Sequence, residues 1–240
     1  MSERTDEIGF GGLKLIQNTD HFCYGIDAVL LADAAAAGRH KTYVDLGTNN
    51  AVIPVILSAL TNAGRIVGVE KQSAPAEIAA RNVALNSLNE RVEIVNTDIL
   101  DIAKHLPAGC CDAVTCNPPY TAKGAGIIND GGALTTARHE TTADLEDFIK
   151  CAAYLLADRG ILYMIHRPAR IIDIACSCRA NRLEPKTLRF ISPRKGEKPN
   201  LMLISCRKNA GRELKLAEPL AVYGSDGAYT DEIMEIYRRK

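Results

Sequence analysis

Asn117-Pro118-Pro119-Tyr120 sets an amide, two rigid rings and an aromatic hydroxyl side by side, directly after the apolar run Cys111–Cys116. That run reads as a buried strand, and prolines cannot donate to a ladder, so the strand must end there. Ligands in an open α/β sheet bind at the carboxyl ends of its strands, and the turn aims Asn117 and Tyr120 at that place. An ordinary surface turn accounts for the same four residues equally well.

A second group lies upstream. Asp45-Leu46-Gly47-Thr48-Asn49-Asn50-Ala51 falls between a strand and a helix, where a glycine turn lets backbone approach a ligand at a helix N-terminus. Glu70 closes the next strand and suits the two hydroxyls of a ribose, and Asp98 follows the third strand, within reach of an adenine amine. An adenosine laid across three strand ends belongs to a dinucleotide or to S-adenosylmethionine. The loop lacks both the Gly-x-Gly-x-x-Gly of the first and the Gly-x-x-x-x-Gly-Lys of a triphosphate loop. With Asn117–Tyr120 on the fourth strand, S-adenosylmethionine is the better fit.

These residues need a scaffold, and the pattern predicts one. Strands at Tyr43–Leu46, Arg65–Glu70, Val92–Asn96, Asp112–Cys116 and Ile161–His166 alternate with helices ending near Leu60, at Pro75–Asn86, Ile99–His105, 142–156 and Ala169–Asn181. That rhythm signals a parallel sheet with helices on both faces. Thr187–Ile191 and Leu201–Cys206 follow each other without a helix and so form an antiparallel hairpin at one edge. Upstream, Gly9–Gln17 and His21–Tyr24 read as a hairpin turning at Asn18-Thr19-Asp20, and Ile26–Ala35 as a helix stopped by Gly38. Thr141 and Asp144 have capping-box spacing, and Thr121–Thr142 reads as a substrate loop. Residues 1–240 form one domain: a hairpin and helix over 1–38, a core over 39–210 and a basic extension over 211–240 with a helix at Asp231–Arg238.

Composition suits a soluble globular chain, with 47% hydrophobic and 24% charged residues over 240. No run approaches a membrane span and no secretory leader is visible, so a cytoplasmic location is expected. The eight cysteines lack Cys-x-x-Cys spacing and read as small core hydrophobes, with no metal implied. Charge is uneven. Residues 1–150 sum to −7 and 151–240 to +7, and Lys186–Lys215 holds nine Lys and Arg against two acids, which reads as a surface for RNA backbone.

Several stretches together carry a resemblance: Gly11–Gln17, Phe22–Leu31, Asn117–Tyr120, Ala137–Glu140, His166–Pro168 and Glu197–Asn200. The chain resembles class I S-adenosylmethionine-dependent methyltransferases. Within these it is similar to the bacterial tRNA (adenine-N6) methyltransferases that modify the adenosine beside the anticodon of a valine tRNA. The resemblance implies a Rossmann-like α/β fold with a seven-stranded, mostly parallel sheet ending in the antiparallel hairpin. It implies an enzyme with tRNA as partner; because the sulfonium charge disappears in the transfer no metal is required, and the oligomeric state is left open, with a monomer expected. Asp45, Gly47 and Asn49 would hold the methionine end, Glu70 the ribose and Asp98 the adenine, under a cover of Phe22–Asp27 that brings in Tyr24 and Asp27. Asn117, also beside the cofactor, and the Pro118 carbonyl would accept the N–H bonds of the target amine, Pro119 would stiffen the turn, and Tyr120 would stack on the base. The tetrapeptide itself is shared with DNA adenine, rRNA guanine and glutamine side-chain methyltransferases, so a protein glutamine or an rRNA is the alternative acceptor. The family loop is Asp-x-Gly-x-Gly-x-Gly, and Asn49 and Ala51 replace two of its glycines. That departure points to weakened cofactor binding through a strained, crowding Ala51 methyl, or to an inactive RNA-binding relative.

Overall fold

In β3 (Thr42–Leu46) the side chains of Val44 and Leu46 enter one apolar layer and Tyr43 the other. The same split recurs in β4 (Arg65–Glu70), β6 (Cys111–Cys116) and β7 (Leu156–His166). Side chains alternate across a strand, so a sheet apolar on both sides must be covered on both sides. In the computed structural model, which describes residues 3–18, 24–120 and 143–238 (the Arg238 side chain excepted), this is what is found. Helices α1 (Ile26–Ala36) and α2 (Val52–Leu60) cover one face, and α4 (Leu145–Leu155) and α5 (Ile171–Ala180) the other. Between α2 and α4 in the chain lie α3 (Ser73–Leu85), β5 (Val92–Asn96) and a 3-10 turn at Ile99–Lys104.

The order across the sheet is β5-β4-β3-β6-β7, all parallel, followed by β9 (Leu201–Lys208), antiparallel to β7, and β8 (Leu183–Arg194), antiparallel to β9. These are the seven expected strands. Two short strands, β10 (Lys215–Leu216) and β11 (Leu220–Tyr223), extend the edge by pairing parallel with β8. The C-terminal extension is therefore part of the sheet and not a basic tail. Residues 211–240 hold five Lys and Arg against six Asp and Glu, and α6 (Asp231–Arg238) buries Ile233 and Ile236.

Two local expectations are corrected. The N-terminal hairpin pairs β1 (Glu3–Glu7) with β2 (Lys14–Asn18), one strand earlier than expected. Gly9, Phe10, Gly11 and Gly12 take positive φ in succession, and only a glycine-rich stretch turns a chain that way cheaply. Helix α4 starts at Asp144, which forms a reciprocal capping box with Asp147. Thr121–Thr142, including Ala137–Glu140 and Thr141, and residues 19–23 lie outside the described residues.

The hairpin docks on α3 through two asparagines one helical turn apart. Asn82 receives the Ile16 N–H at 2.6 Å and returns an N–H to the Ile16 carbonyl at 3.0 Å, and Asn86 exchanges the same pair of bonds with Lys14. Residues four apart on a helix and two apart on a strand are both spaced by about 6–7 Å, so α3 stands in for a neighbouring strand. Asn82 also donates to the carbonyl of Asn50, which ties the hairpin to the loop after β3.

Five of the seven described cysteines (Cys111, Cys116, Cys151, Cys178 and Cys206) are buried among apolar neighbours, whereas Cys110 is half-buried and Cys176 exposed. Among the described residues no helix is long and apolar enough to cross a membrane.

Candidate active site

Register brings the site residues together. Leu46 is level with Val69 and Cys116, and Glu70 with Asn96. Gly47, Glu70, Asp98 and Asn117 thus each lie at or within two residues of the carboxyl end of one of four neighbouring strands. This is the binding edge of an open α/β sheet.

The loop after β3 is built on left-handed backbone. Gly47, Asn49 and Ala51 have φ of 71°, 51° and 64°. The Thr48 side chain packs where Gly68 has none, since a Cβ there would lie 2.9 Å from Thr48. Ala51 caps α2 in a conformation that costs a non-glycine residue about 1–2 kcal/mol. Its methyl is 0% exposed and packed into the core, so it presents no surface to a ligand and the expected crowding does not arise. Ala51→Gly would relieve strain but lose a buried methyl worth about 0.8 kcal/mol and loosen the unfolded chain. We expect a stability change within about 1 kcal/mol and a cofactor dissociation constant within threefold of the parent, measured by thermal unfolding and calorimetry.

Two carboxylates face this loop. Asp45 is 1% exposed and takes the Thr115 hydroxyl on Oδ1 at 2.7 Å, from the residue directly across β6. Burial raises its carboxyl to about 7 against the opposing hydroxyls of Thr115 and Thr48, with the Glu70 charge adding to the rise. Only the Thr115 bond is well aligned, since Asp45 Oδ2 and Thr48 Oγ1 are buried without a hydrogen-bond partner. Glu70 is fixed by two backbone donors, Asn49 N–H to Oε2 and Gln72 N–H to Oε1, each at 2.9 Å, and burial raises it too. Two desolvated carboxylates near one another, one with an orphaned acceptor, define a place suited to a cation that brings N–H donors.

Asp98 caps the 3-10 turn by accepting the Leu100 N–H at 3.1 Å, and its other oxygen pairs with Lys71 at 2.9 Å. An adenine amine would share that carboxylate with Lys71. Neither Lys71 nor Thr115 was singled out in the sequence, although Lys71 follows Glu70 and Thr115 stands two residues before Asn117. Tyr24 is placed elsewhere, in an open cavity of about 530 Å³ with Arg4, Asp6, Tyr229 and Tyr237.

Asn117, Tyr120 and Asp27 form one cluster. Asn117 Nδ2 donates to Asp27 Oδ2 at 3.3 Å, and the Tyr120 hydroxyl lies 2.9 Å from both Asp27 Oδ2 and Asn117 Oδ1. Pro118 is buried and Pro119 exposed, which fixes the turn between them. The Tyr120 ring meets His166 edge-on at 5.1 Å, and Arg167 lies over it at 5.3 Å. His166 is 1% exposed and its Nδ1 accepts the Arg167 N–H. Burial lowers its pKa to about 4, so it is a neutral packing neighbour of Tyr120. Among the described residues no group of three or more His, Cys, Asp or Glu is arranged to hold a metal.

The basic run divides by register. Arg194, Lys195 and Lys198 are exposed in the β8–β9 turn, at the same end as His166, whereas Arg207 and Lys208 lie at the opposite end. Lys208 is committed to the carbonyls of Ala153 and Leu156, Lys186 to that of Gly211, and Arg189 to Glu232.

Residues 24–170 match the family model described as methyltransferase small domain. A curated tRNA1(Val) (adenine(37)-N6)-methyltransferase from Porphyromonas gingivalis strain W83 is 26% identical over 97% of this chain and 93% of its own. The protein of the same name from Yersinia pseudotuberculosis strain YPIII is 25% identical over 88% of this chain and 82% of its own. Among solved structures, a predicted O-methyltransferase from Agrobacterium tumefaciens superposes with a TM-score of 0.72 over 88% of this chain and 96% of that one, at 24% identity.

Proposed function

Because the chain belongs to the methyltransferase small domain family, we propose that it transfers a methyl group from S-adenosylmethionine to the exocyclic N6 amine of an adenine in tRNA. The observation that carries this reading is the Asn117–Tyr120 turn beside a loop lined by two buried carboxylates. S-adenosylmethionine, when bound, supplies an electrophilic methyl on a sulfonium. Its ammonium donors would suit the loop that holds Asp45 Oδ2, and Glu70, fixed by two backbone N–H groups, keeps free lone pairs for ribose hydroxyls.

An adenine amine is a poor nucleophile because its lone pair is delocalised into the ring. Asn117 Oδ1 and the Pro118 carbonyl would each take one of its N–H bonds, which would fix the amine at the turn and favour the pyramidal nitrogen that attack on an electrophilic methyl requires. Tyr120 stacks on the base, a contact worth about 1–3 kcal/mol. Arg167, Arg194, Lys195 and Lys198 supply phosphate contacts at the catalytic end. The relatives are named for adenine 37 of a valine tRNA, and we extend that acceptor, the adenosine beside the anticodon, to this chain.

The test is to incubate the purified chain with labelled S-adenosylmethionine and total tRNA, then identify the product nucleoside by mass spectrometry. N6-methyladenosine is expected, at a rate that falls as salt is added. A methylated protein glutamine, or no transfer beside a working control enzyme, overturns the reading.

A further inference from the structure

Asp27 was expected under the cofactor cover, yet its carboxylate points at the acceptor turn. It sits in the first turn of α1, where the exposed helix N–H groups favour an anion, and its Oδ1 takes the Ala28 N–H at 3.0 Å. Two residues earlier, at the N-cap, stands Gly25, where a Cβ would come within 2.8 Å of Asp27 Oδ1, so any larger residue there would push the carboxylate from this pose. Its other oxygen meets two donors of the turn, Asn117 Nδ2 at 3.3 Å and the Tyr120 hydroxyl at 2.9 Å.

The proton count gives this arrangement its meaning. The Tyr120 hydroxyl has one proton and two oxygen neighbours at 2.9 Å, Asp27 Oδ2 and Asn117 Oδ1. A carboxylate is the stronger acceptor, so the proton goes to Asp27. The same carboxylate draws the amide N–H groups of Asn117 toward itself, which fixes which end of the amide faces outward. Asn117 Oδ1 is then left as an acceptor whose tyrosine neighbour has no proton to give it. An incoming N–H supplies that proton, and a carbonyl or hydroxyl-free edge at the same place does not.

We propose that Asp27 is a positioning residue of the acceptor turn: by taking the donors of Asn117 and Tyr120 it presents Asn117 Oδ1 as a bare acceptor that selects an amine substrate. The inference rests on the amine-methylating function proposed above. It separates Asp27 from the cofactor, because its partners are the acceptor residues and not the Asp45 loop.

The test compares Asp27→Ala, Asp27→Asn and Tyr120→Phe in the full chain. S-adenosylmethionine affinity is measured by calorimetry without turnover, and kcat and KM with tRNA. Asp27→Ala should lower kcat by at least tenfold with both cofactor affinity and tRNA KM within threefold of the parent. Asp27→Asn retains one oxygen with two lone pairs for the turn and should recover most of the lost rate. Combining Asp27→Ala with Tyr120→Phe should cost little more than Asp27→Ala alone, since both disrupt one unit. A tenfold loss of cofactor affinity at unchanged kcat, or losses that simply multiply in the double variant, overturns the proposal. If Asp27→Ala does not fold, Asp27→Ser, whose shorter hydroxyl still suits the helix start but falls short of the turn, carries the test: a tenfold fall in kcat at unchanged affinity supports the proposal, and an unchanged kcat sinks it. A parent protein that makes no N6-methyladenosine refutes the proposed function instead, and is seen before any variant is compared.

Discussion

Asn117→Ala should lower kcat for tRNA methylation by about 10²–10³-fold, the usual cost of removing one preorganised hydrogen-bond partner at a reacting centre. The substitution deletes the oxygen proposed to receive the amine N–H and leaves the Asp27 carboxylate without the amide donor it holds at 3.3 Å. Cofactor affinity should stay within about threefold, because the loop carboxylates keep their own partners: Thr115 for Asp45, and the Asn49 and Gln72 N–H groups for Glu70. Single-turnover rates at saturating cofactor, with calorimetry on the same preparations, separate the two effects. Retention of more than a tenth of the parental single-turnover rate would show that the turn does not position the acceptor. Asn117→Asp is a sharper probe. It preserves shape but replaces the amide donor to Asp27 by a second carboxylate, so its loss should be comparable.

Much of this site was legible because each of its parts has a local cause. The strands ending in Glu70 and Cys116 are short runs bounded by turn residues, and the glycine loop declares itself by composition. The structure gives Arg65–Glu70 and Val92–Asn96 the bounds expected from pattern alone. What stayed hidden was non-local or satisfied by polar side chains. The Gly9–Gly12 turn looked like part of a strand because Leu13, Leu15 and Ile16 beside it carry strand-forming character, while the positive φ values depend on how the chain closes. Asn82 and Asn86 sit in an ordinary helical sequence, and nothing local shows that they replace a strand neighbour for β2. Asp27 reads as a helix N-terminal acid from sequence. Only the approach of β6 to α1 turns it toward Asn117, ninety residues away.

The Ala51 position shows how such a reading goes half right. The glycine pattern of the family it resembles pointed to a non-glycine residue in left-handed backbone, which the structure has at φ 64°. The direction of its methyl was not knowable from the loop, because it depends on how α2 seats against α1 in the core. The strain is real but turned inward, where packing offsets part of it.

Asp45 carries the other large expected effect, and here function opposes stability. Its carboxyl ordinarily titrates near 3.8 and is raised by burial to about 7 in the fold. Between those values the folded chain holds a proton that the unfolded chain has released. Stability contributed at low pH is therefore lost as pH rises from about 4 to about 7, and the full cost, roughly 4 kcal/mol for a rise of this size, stands above pH 7. Asp45→Asn removes the titration without changing shape. Its Oδ1 can still take the Thr115 hydroxyl, and its new Nδ2 can donate to Thr48 Oγ1, pairing two atoms now buried without partners. At pH 8 the variant should unfold about 8–16 °C higher than the parent, at roughly 2–4 °C per kcal/mol for a chain of this size, with the difference shrinking toward zero near pH 4. The same change should weaken S-adenosylmethionine binding at least tenfold, because the ammonium loses the carboxylate and the unpaired Oδ2 that suit it. Binding to the parent at pH 7 should also release protons, visible as a dependence of calorimetric enthalpy on buffer, and Asp45→Asn should diminish that release. A stability gain equal at pH 4 and pH 8 would assign the effect to packing rather than charge. An unchanged cofactor affinity would remove Asp45 from the binding site altogether.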